Sequence, residues 1–496
     1  MPVRRARAFR LRSFFYLMMA GIALACVYFG GAGAAFYYRH RHLNEANDKL
    51  PPLAFTPPNA STRLLVFAPH CDDETLGCAG LIQQTLAAGG SVRAVIFTNG
   101  DGFRTAVERQ ARRLHIGPAD YVQFAALRQQ ESLRALNSLG VASRNVTFLG
   151  YPDRGLMPMW NDHWLRGRPF VSAYTRRDRS PYKITFHPAS LYCGADVVAD
   201  VKSILAAFRP TMVTVTHPAE DHPDHAAAAA FVAEAIREIV RDPARASWGS
   251  RTKLRYYMIH RGDWPLPQGM HPDAPLLPPT EMAHADTRWT CLPLEKKQTK
   301  QKMMAIGDYP SQTALMGHFL IAFARRDEIY GEIRPTRLNW VTPGAISMTG
   351  RPSEWDALSP AIVDPVRDNV LRDLQGGGDI RTVYACRDRT NLFLRIDARQ
   401  PISARIDYVV HIRRFGPQGE TTDADRTIHI RNERAVSTAP AEIAVKTSLR
   451  SMEIRIPWID VGVADDRSQG QALVINVQTE IAGVEVDKTG ARFLYF

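Results

Sequence analysis

Between residues 63 and 240 the sequence switches repeatedly between two hydrophobic periods, and this alternation limits the fold more than any other feature of the chain. The runs Leu64-Leu65-Val66-Phe67-Ala68, Val92-Arg93-Ala94-Val95-Ile96-Phe97, Val146-Thr147-Phe148-Leu149 and Met212-Val213-Thr214-Val215-Thr216 read as strands, and the stretches 74–88, 122–139, 195–208 and 224–240 read as helices. Strands and helices taking turns predict an α/β layer fold around a mainly parallel sheet. Residues 152–192, rich in Arg, Trp, Pro and Tyr, interrupt the pattern as an insertion or long loop.

Beyond about residue 345 the period becomes two, as in Asn391-Leu392-Phe393-Leu394-Arg395-Ile396 and Ala472-Leu473-Val474-Ile475-Asn476-Val477. Short alternating runs separated by turn residues predict a second domain, an all-β sandwich. Two folded units also suit a chain of 496 residues, which exceeds what one hydrophobic core usually serves. Near the N-terminus, Arg4, Arg5, Arg7, Arg10 and Arg12 precede an uncharged, mainly apolar run at 13–38, longer than the roughly 20 residues that cross a bilayer. The excess of arginine before this run predicts a cytoplasmic N-terminus and the remaining chain outside the membrane. A secreted protein, cleaved after Ala32-Gly33-Ala34, is the alternative. The expected division is therefore a basic tail and anchor at 1–43, a proline-bearing linker at 44–62, the α/β domain at 63–344 and the β domain at 345–496.

The formal charge of +12 is concentrated locally, because residues 1–50 hold eight Lys and Arg against two acids. No basic stripe is interleaved with aromatic residues elsewhere, which argues against a nucleic-acid partner. Five cysteines outside the apolar run (Cys71, Cys78, Cys193, Cys291, Cys386) show no close-spaced framework, so disulfides do not define the fold.

Two clusters carry chemistry. Ala68-Pro69-His70-Cys71-Asp72-Asp73-Glu74 falls where a strand ends and a helix begins, the place where open α/β sheets bind ligands. Acids also favour a first helical turn for its dipole, so this cluster alone does not decide between a site and a cap. Thr216-His217-Pro218-Ala219-Glu220-Asp221-His222-Pro223-Asp224-His225 follows another strand and opens another helix. Together they offer a His/Asp/His set, and a catalytic zinc takes three protein ligands with its fourth position open.

Both clusters resemble the A-H-P-D-D-E and H-x-D-H motifs of the PIG-L/LmbE-like zinc de-N-acetylase family, over roughly residues 62–335. Arg128-Gln129-Gln130-Glu131, Leu149-Gly150-Tyr151-Pro152-Asp153, Tyr309-Pro310-Ser311-Gln312 and Arg325-Arg326-Asp327-Glu328 agree more weakly. The resemblance implies a Rossmann-like catalytic domain holding one zinc ion per chain. It implies His70, Asp73 and His225 as zinc ligands, Asp72 as general base, His222 as a protonated donor to the oxyanion or leaving amine, Asp224 as the acid orienting His222, and Arg128 as a substrate contact. Cys71 replaces the usual proline and reads either as a packed residue or as a fourth ligand. Glu220-Asp221 stands where some members carry a tyrosine that assists catalysis.

The resemblance further implies removal of an N-acetyl group from an amino sugar of a glycan, glycolipid or glycoconjugate. A membrane-anchored glycan-binding protein with a vestigial site is the alternative, and intact Asp72 and His222 argue against it. Trp160, His163, Trp164 and Tyr174 read either as a sugar-binding rim or as loop packing. The β domain faintly resembles a carbohydrate-binding module in its Glu354-Trp355 start and its Val383-Tyr384-Ala385 strand.

Overall fold

The computed structural model describes Met18, Met19 and residues 53–280, 282, 285–350, 352–366, 377–416, 426–436, 443–461 and 471–496. Apart from Met18 and Met19, the expected membrane segment lies outside these residues, as do residues 44–52 of the linker. Among the described residues no helix is long and apolar enough to cross a membrane.

The α/β layer contains β1 (Leu53–Ala54), β2 (Arg63–Ala68), α1 (Asp73–Ala87), β3 (Ser91–Thr98), α2 (Arg104–Ala111), α3 (Pro118–Ser138), β4 (Val146–Tyr151), α4 (Leu156–Asn161), α5 (Gly194–Phe208), β5 (Met212–Thr216), α6 (Pro223–Arg241), α7 (Ala246–Gly249), β6 (Lys253–Tyr257), β7 (Thr287–Pro293), α8 (Lys296–Gly307), α9 (Pro310–Ile321) and β8 (Asp327–Ile333). Their strands form one eight-stranded sheet in the order β1-β7-β8-β6-β5-β2-β3-β4. Pairing is parallel except where β8 runs between β6 and β7. Strands buried on both faces explain the continuous apolar runs. Leu64, Val66, Val92 and Ala94 enter the core on one face, and Leu65, Phe67, Val95 and Phe97 the core on the other.

The β region contains two further, mainly antiparallel sheets. Val383, Leu392 and Ile454 of one share a core with Tyr408, Val410 and Ile475 of the other. This region begins ahead of the expected residue 345, because Thr336–Arg337 and Asn339–Trp340 already pair with its strands.

Trp160 and Trp164 are buried against Phe231 of α6 and Phe415 of the β region. The Arg413 guanidinium lies 4.2 Å from the Trp164 ring centroid and donates to the Trp160 carbonyl. These tryptophans therefore pack the β region onto the α/β layer rather than forming a sugar-binding rim. Tyr174 packs against Tyr121, and His163 against Phe170.

Candidate metal centre

Parallel strands end at one edge of a sheet, and β2 is flanked by β3 on one side and β5 on the other. The chain leaves β2 toward β3 and β4 and returns to β5, which makes the gap between β2 and β5 the switch point where such sheets bind ligands. The two clusters follow these two strands, so residues about 150 positions apart in sequence converge there.

His70 Nδ1 lies 3.1 Å from His225 Nε2 and 3.4 Å from Asp73 Oδ2, which is 3.2 Å from His225 Nε2. Donor atoms bound at about 2.0–2.2 Å around a tetrahedral zinc stand about 3.3–3.6 Å apart, so this triangle is close to the right size. The electrostatics agree. Burial alone would depress the His70 imidazole, yet the carboxylates of Asp153, Asp224 and Asp73 raise it well above the ordinary range. Asp73 and Glu220 likewise push His225, against burial, up to about 9. The carboxylates around these two rings make the pocket one that favours positive charge. Its two nitrogens and one carboxylate oxygen are a donor set that suits zinc.

The candidate ligands are braced from behind. His70 Nε2 faces Asp153 Oδ1 and Asp224 Oδ2, both at 3.4 Å. Glu220 Oε2 lies 3.7 Å from His225 Nδ1, and its carboxylate accepts hydrogen bonds from the backbone N–H groups of Ile259 and His260. Partners of this kind fix the rings and strengthen the ligands. Glu220→Gln is expected to weaken zinc binding about 10–100-fold, measured by competition with a chelator.

Two expectations are corrected here. The Asp224 carboxylate does not orient His222: it accepts from the backbone N–H of Arg154 and Leu156 and faces His70. What fixes His222 is the backbone N–H of Asp224, which donates to Nδ1 at 3.3 Å and so leaves the ring proton on Nε2. Nor do the surroundings favour a protonated His222. Burial, with His70 and His225 beside it, holds its imidazole well below the usual range. The helix geometry explains the first result, since His222 caps α6 and its ring is turned back onto the first turn.

Asp72 has φ of 133°, an unfavourable backbone conformation. Burial, offset by Arg128 and reinforced by repulsion from Asp73 and Glu74, pushes its carboxyl up to about 7. Arg128 is itself buried, at 4% exposure, and its guanidinium is engaged by the site's own groups. It donates to Asp72 Oδ2 at 3.1 Å, to the Gly100 carbonyl at 2.9 Å and to the Cys71 carbonyl. Its position depends on Gly100, which has φ of +63° and where a Cβ would lie 1.6 Å from Arg128 Nη1. Gly100→Ala is therefore expected to displace the guanidinium, costing about 1–3 kcal/mol of stability and lowering turnover while zinc content is unchanged. Thermal melting and metal analysis of the same sample check this.

Cys71 packs with Ala68, Ile96 and Phe148, which makes it a core residue and not a ligand. Two residues next to the site motifs act as scaffolding. Glu74 accepts from the Asp72 backbone N–H, from Ser132 and from the Tyr309 hydroxyl, while Glu131 accepts from Ser311 at the start of α9.

The comparison with known families is specific. Residues 65–236 match the family described as PIG-L, GlcNAc-PI de-N-acetylase. This segment is a PIG-L domain. The chain carrying it is 28% identical over 296 residues to the 1D-myo-inositol 2-acetamido-2-deoxy-alpha-D-glucopyranoside deacetylase of Kribbella flavida, covering 54% of this chain and 89% of that protein. Among solved structures, the conserved protein TT1542 from Thermus thermophilus is 20% identical, covers 56% of this chain and 97% of its own, and has a TM-score of 0.32. N,N'-diacetylchitobiose deacetylase from Pyrococcus horikoshii is 17% identical, covers 52% of this chain and 76% of its own, and has a TM-score of 0.30.

Site residues that sequence reasoning did not assign also stand around this triangle. Asp153 lies two residues past the end of β4, and its signals were that strand end and its place in the Leu149-Gly150-Tyr151-Pro152-Asp153 motif. His260 follows β6, lies with its ring centroid 4.8 Å from that of His225, and has a ligand atom close to those of Asp73 and His225. His222 is similarly close to His70 and His225, with ring centroids at 4.7 and 5.1 Å.

Proposed function

We propose that this protein is a zinc-dependent hydrolase that removes an N-acetyl group from an amino sugar of the N-acetylglucosamine type, carried by a glycan, glycolipid or glycoconjugate. The observation that carries the reading is the triangle of His70 Nδ1, Asp73 Oδ2 and His225 Nε2 beside a buried, strained Asp72. Membership of residues 65–236 in the PIG-L family supports it, as does a relative named as a deacetylase of an acetamido sugar. On this reading His70, Asp73 and His225 hold one zinc ion. Zinc there supplies a Lewis acid that polarises the acyl carbonyl and makes water acidic enough to attack near neutral pH.

The remaining chemistry belongs to the chain. Asp72, raised to about 7, has the basicity a general base needs near neutral pH. It takes a proton from the attacking water as the new C–O bond forms. The carbonyl oxygen, gaining negative charge, accepts a hydrogen bond from the neutral Nε2–H of His222. Protonated Asp72 then gives its proton to the amide nitrogen, the C–N bond breaks, and acetate and free amine are released. Arg128 is a positioning residue that keeps the Asp72 carboxylate aimed, and Asp224 supports His70 from behind. We further propose that the N-terminal apolar run places this domain outside a membrane.

The test is a panel of N-acetylated saccharides and glycolipids assayed for free amine, with Asp72→Ala as the blank. Release of amine from at least one acetamido sugar, absent with the blank, is the expected result. Equal rates with wild type and blank across the panel overturn the assignment.

A further inference from the structure

A groove of about 660 Å³ opens along β7, β8 and the first residues of the β region. Its walls carry three exposed arginines, Arg288, Arg334 and Arg337, and two acids, Asp286 and Glu332. The acids are neutralised from outside the groove: Asp286 pairs with Arg492 at 2.6 Å, and Glu332 with Arg255 at 3.4 Å. Glu332 is the register partner of Arg288 across the β7–β8 ladder, yet no ion pair joins the two. Among the described residues, none of the three arginines has an ion pair or a side-chain hydrogen bond. Three uncompensated guanidinium groups lining one groove repel one another and attract anions.

The rest of the lining narrows the ligand. Thr336, Asn339 and Ser359 interleave with the arginines and offer hydroxyl and amide groups, and no aromatic side chain lines the groove. Guanidinium forks match carboxylates in a two-point hydrogen bond, and hydroxyl and amide groups match sugar hydroxyls. Single-stranded nucleic acid, by contrast, is held on aromatic faces that stack with its bases. We infer that this groove binds an acidic polysaccharide, a glycan chain bearing carboxylate groups, at a site separate from the metal centre. The inference rests on the proposed function only in taking the substrate to be part of a glycan; binding in the groove needs no hydrolysis.

The test is calorimetric titration of the full chain with a homogeneous oligogalacturonate, which carries carboxylates but no acetamido group, so its outcome is independent of deacetylase activity. Oligogalacturonate is expected to bind, more weakly as salt rises, while an uncharged oligosaccharide of equal length does not. The double variant Arg334→Ala/Arg337→Ala is expected to lose at least about tenfold in affinity. Lys296→Ala/Lys300→Ala removes the same charge from exposed positions on α8 and is expected to bind as wild type does. Unchanged hydrolysis of a small acetamido sugar by the arginine variant shows that it is folded. The inference is overturned by absence of oligogalacturonate binding, by equal weakening in both double variants, or by oligothymidylate binding as tightly as oligogalacturonate.

Discussion

His225→Ala is expected to lose both zinc and activity while the fold is retained. His225 lies within the first turn of α6, fully buried, and supplies one of the three donor atoms of the triangle. Removing it leaves one imidazole and one carboxylate, too few for the three protein ligands of a catalytic zinc. Metal content is expected to fall from near one equivalent to a small fraction, and amine release by roughly 10³-fold or more, because the metal supplies both the carbonyl polarisation and the acidity of water. Alanine suits a helix, so circular dichroism should show little change. The informative contrast is His222→Ala, whose ring atoms make none of the three close donor contacts. It is expected to keep zinc and lose about 10²–10³ in kcat. If His225→Ala retains both metal and turnover, or His222→Ala loses the metal, the ligand assignment is wrong.

Asp72→Asn is expected to lower kcat by about 10²–10⁴ with zinc content and KM little changed. Asparagine keeps the size of the side chain but cannot take a proton from water. Because Arg128 donates to Asp72 Oδ2, the amide oxygen can still accept that bond and the local structure should hold. Single-turnover rates with metal analysis separate this from metal loss. A variant that turns over at wild-type speed would show that another group is the base.

Much of the layered fold was legible in the residues because burial on both faces leaves a strand no freedom to be polar. Met212–Thr216 is such a strand, and α6 follows it with one apolar stripe. The irregular segment at 152–192 was legible as a break in period but not as packing. Trp160 and Trp164 pack the β region through Phe415, and no local pattern indicates a partner some 250 residues away. Arg128 shows the same limit at the site: the resemblance named the residue, but its partners are the Gly100 and Cys71 carbonyls and Asp72.

By itself, the sequence determined that strand ends would carry His70, Asp72, Asp73, His222 and His225, because hydrophobic period and residue type are local properties of the chain. Tertiary structure alone decided how those side chains are used. Asp224 supports His70 instead of His222, Asp153 and Glu220 join the site, and Cys71 turns into the core. Each outcome depends on directions and distances between groups on different elements. Those are set by how β2, β4 and β5 lie side by side in the sheet, not by spacing along the chain.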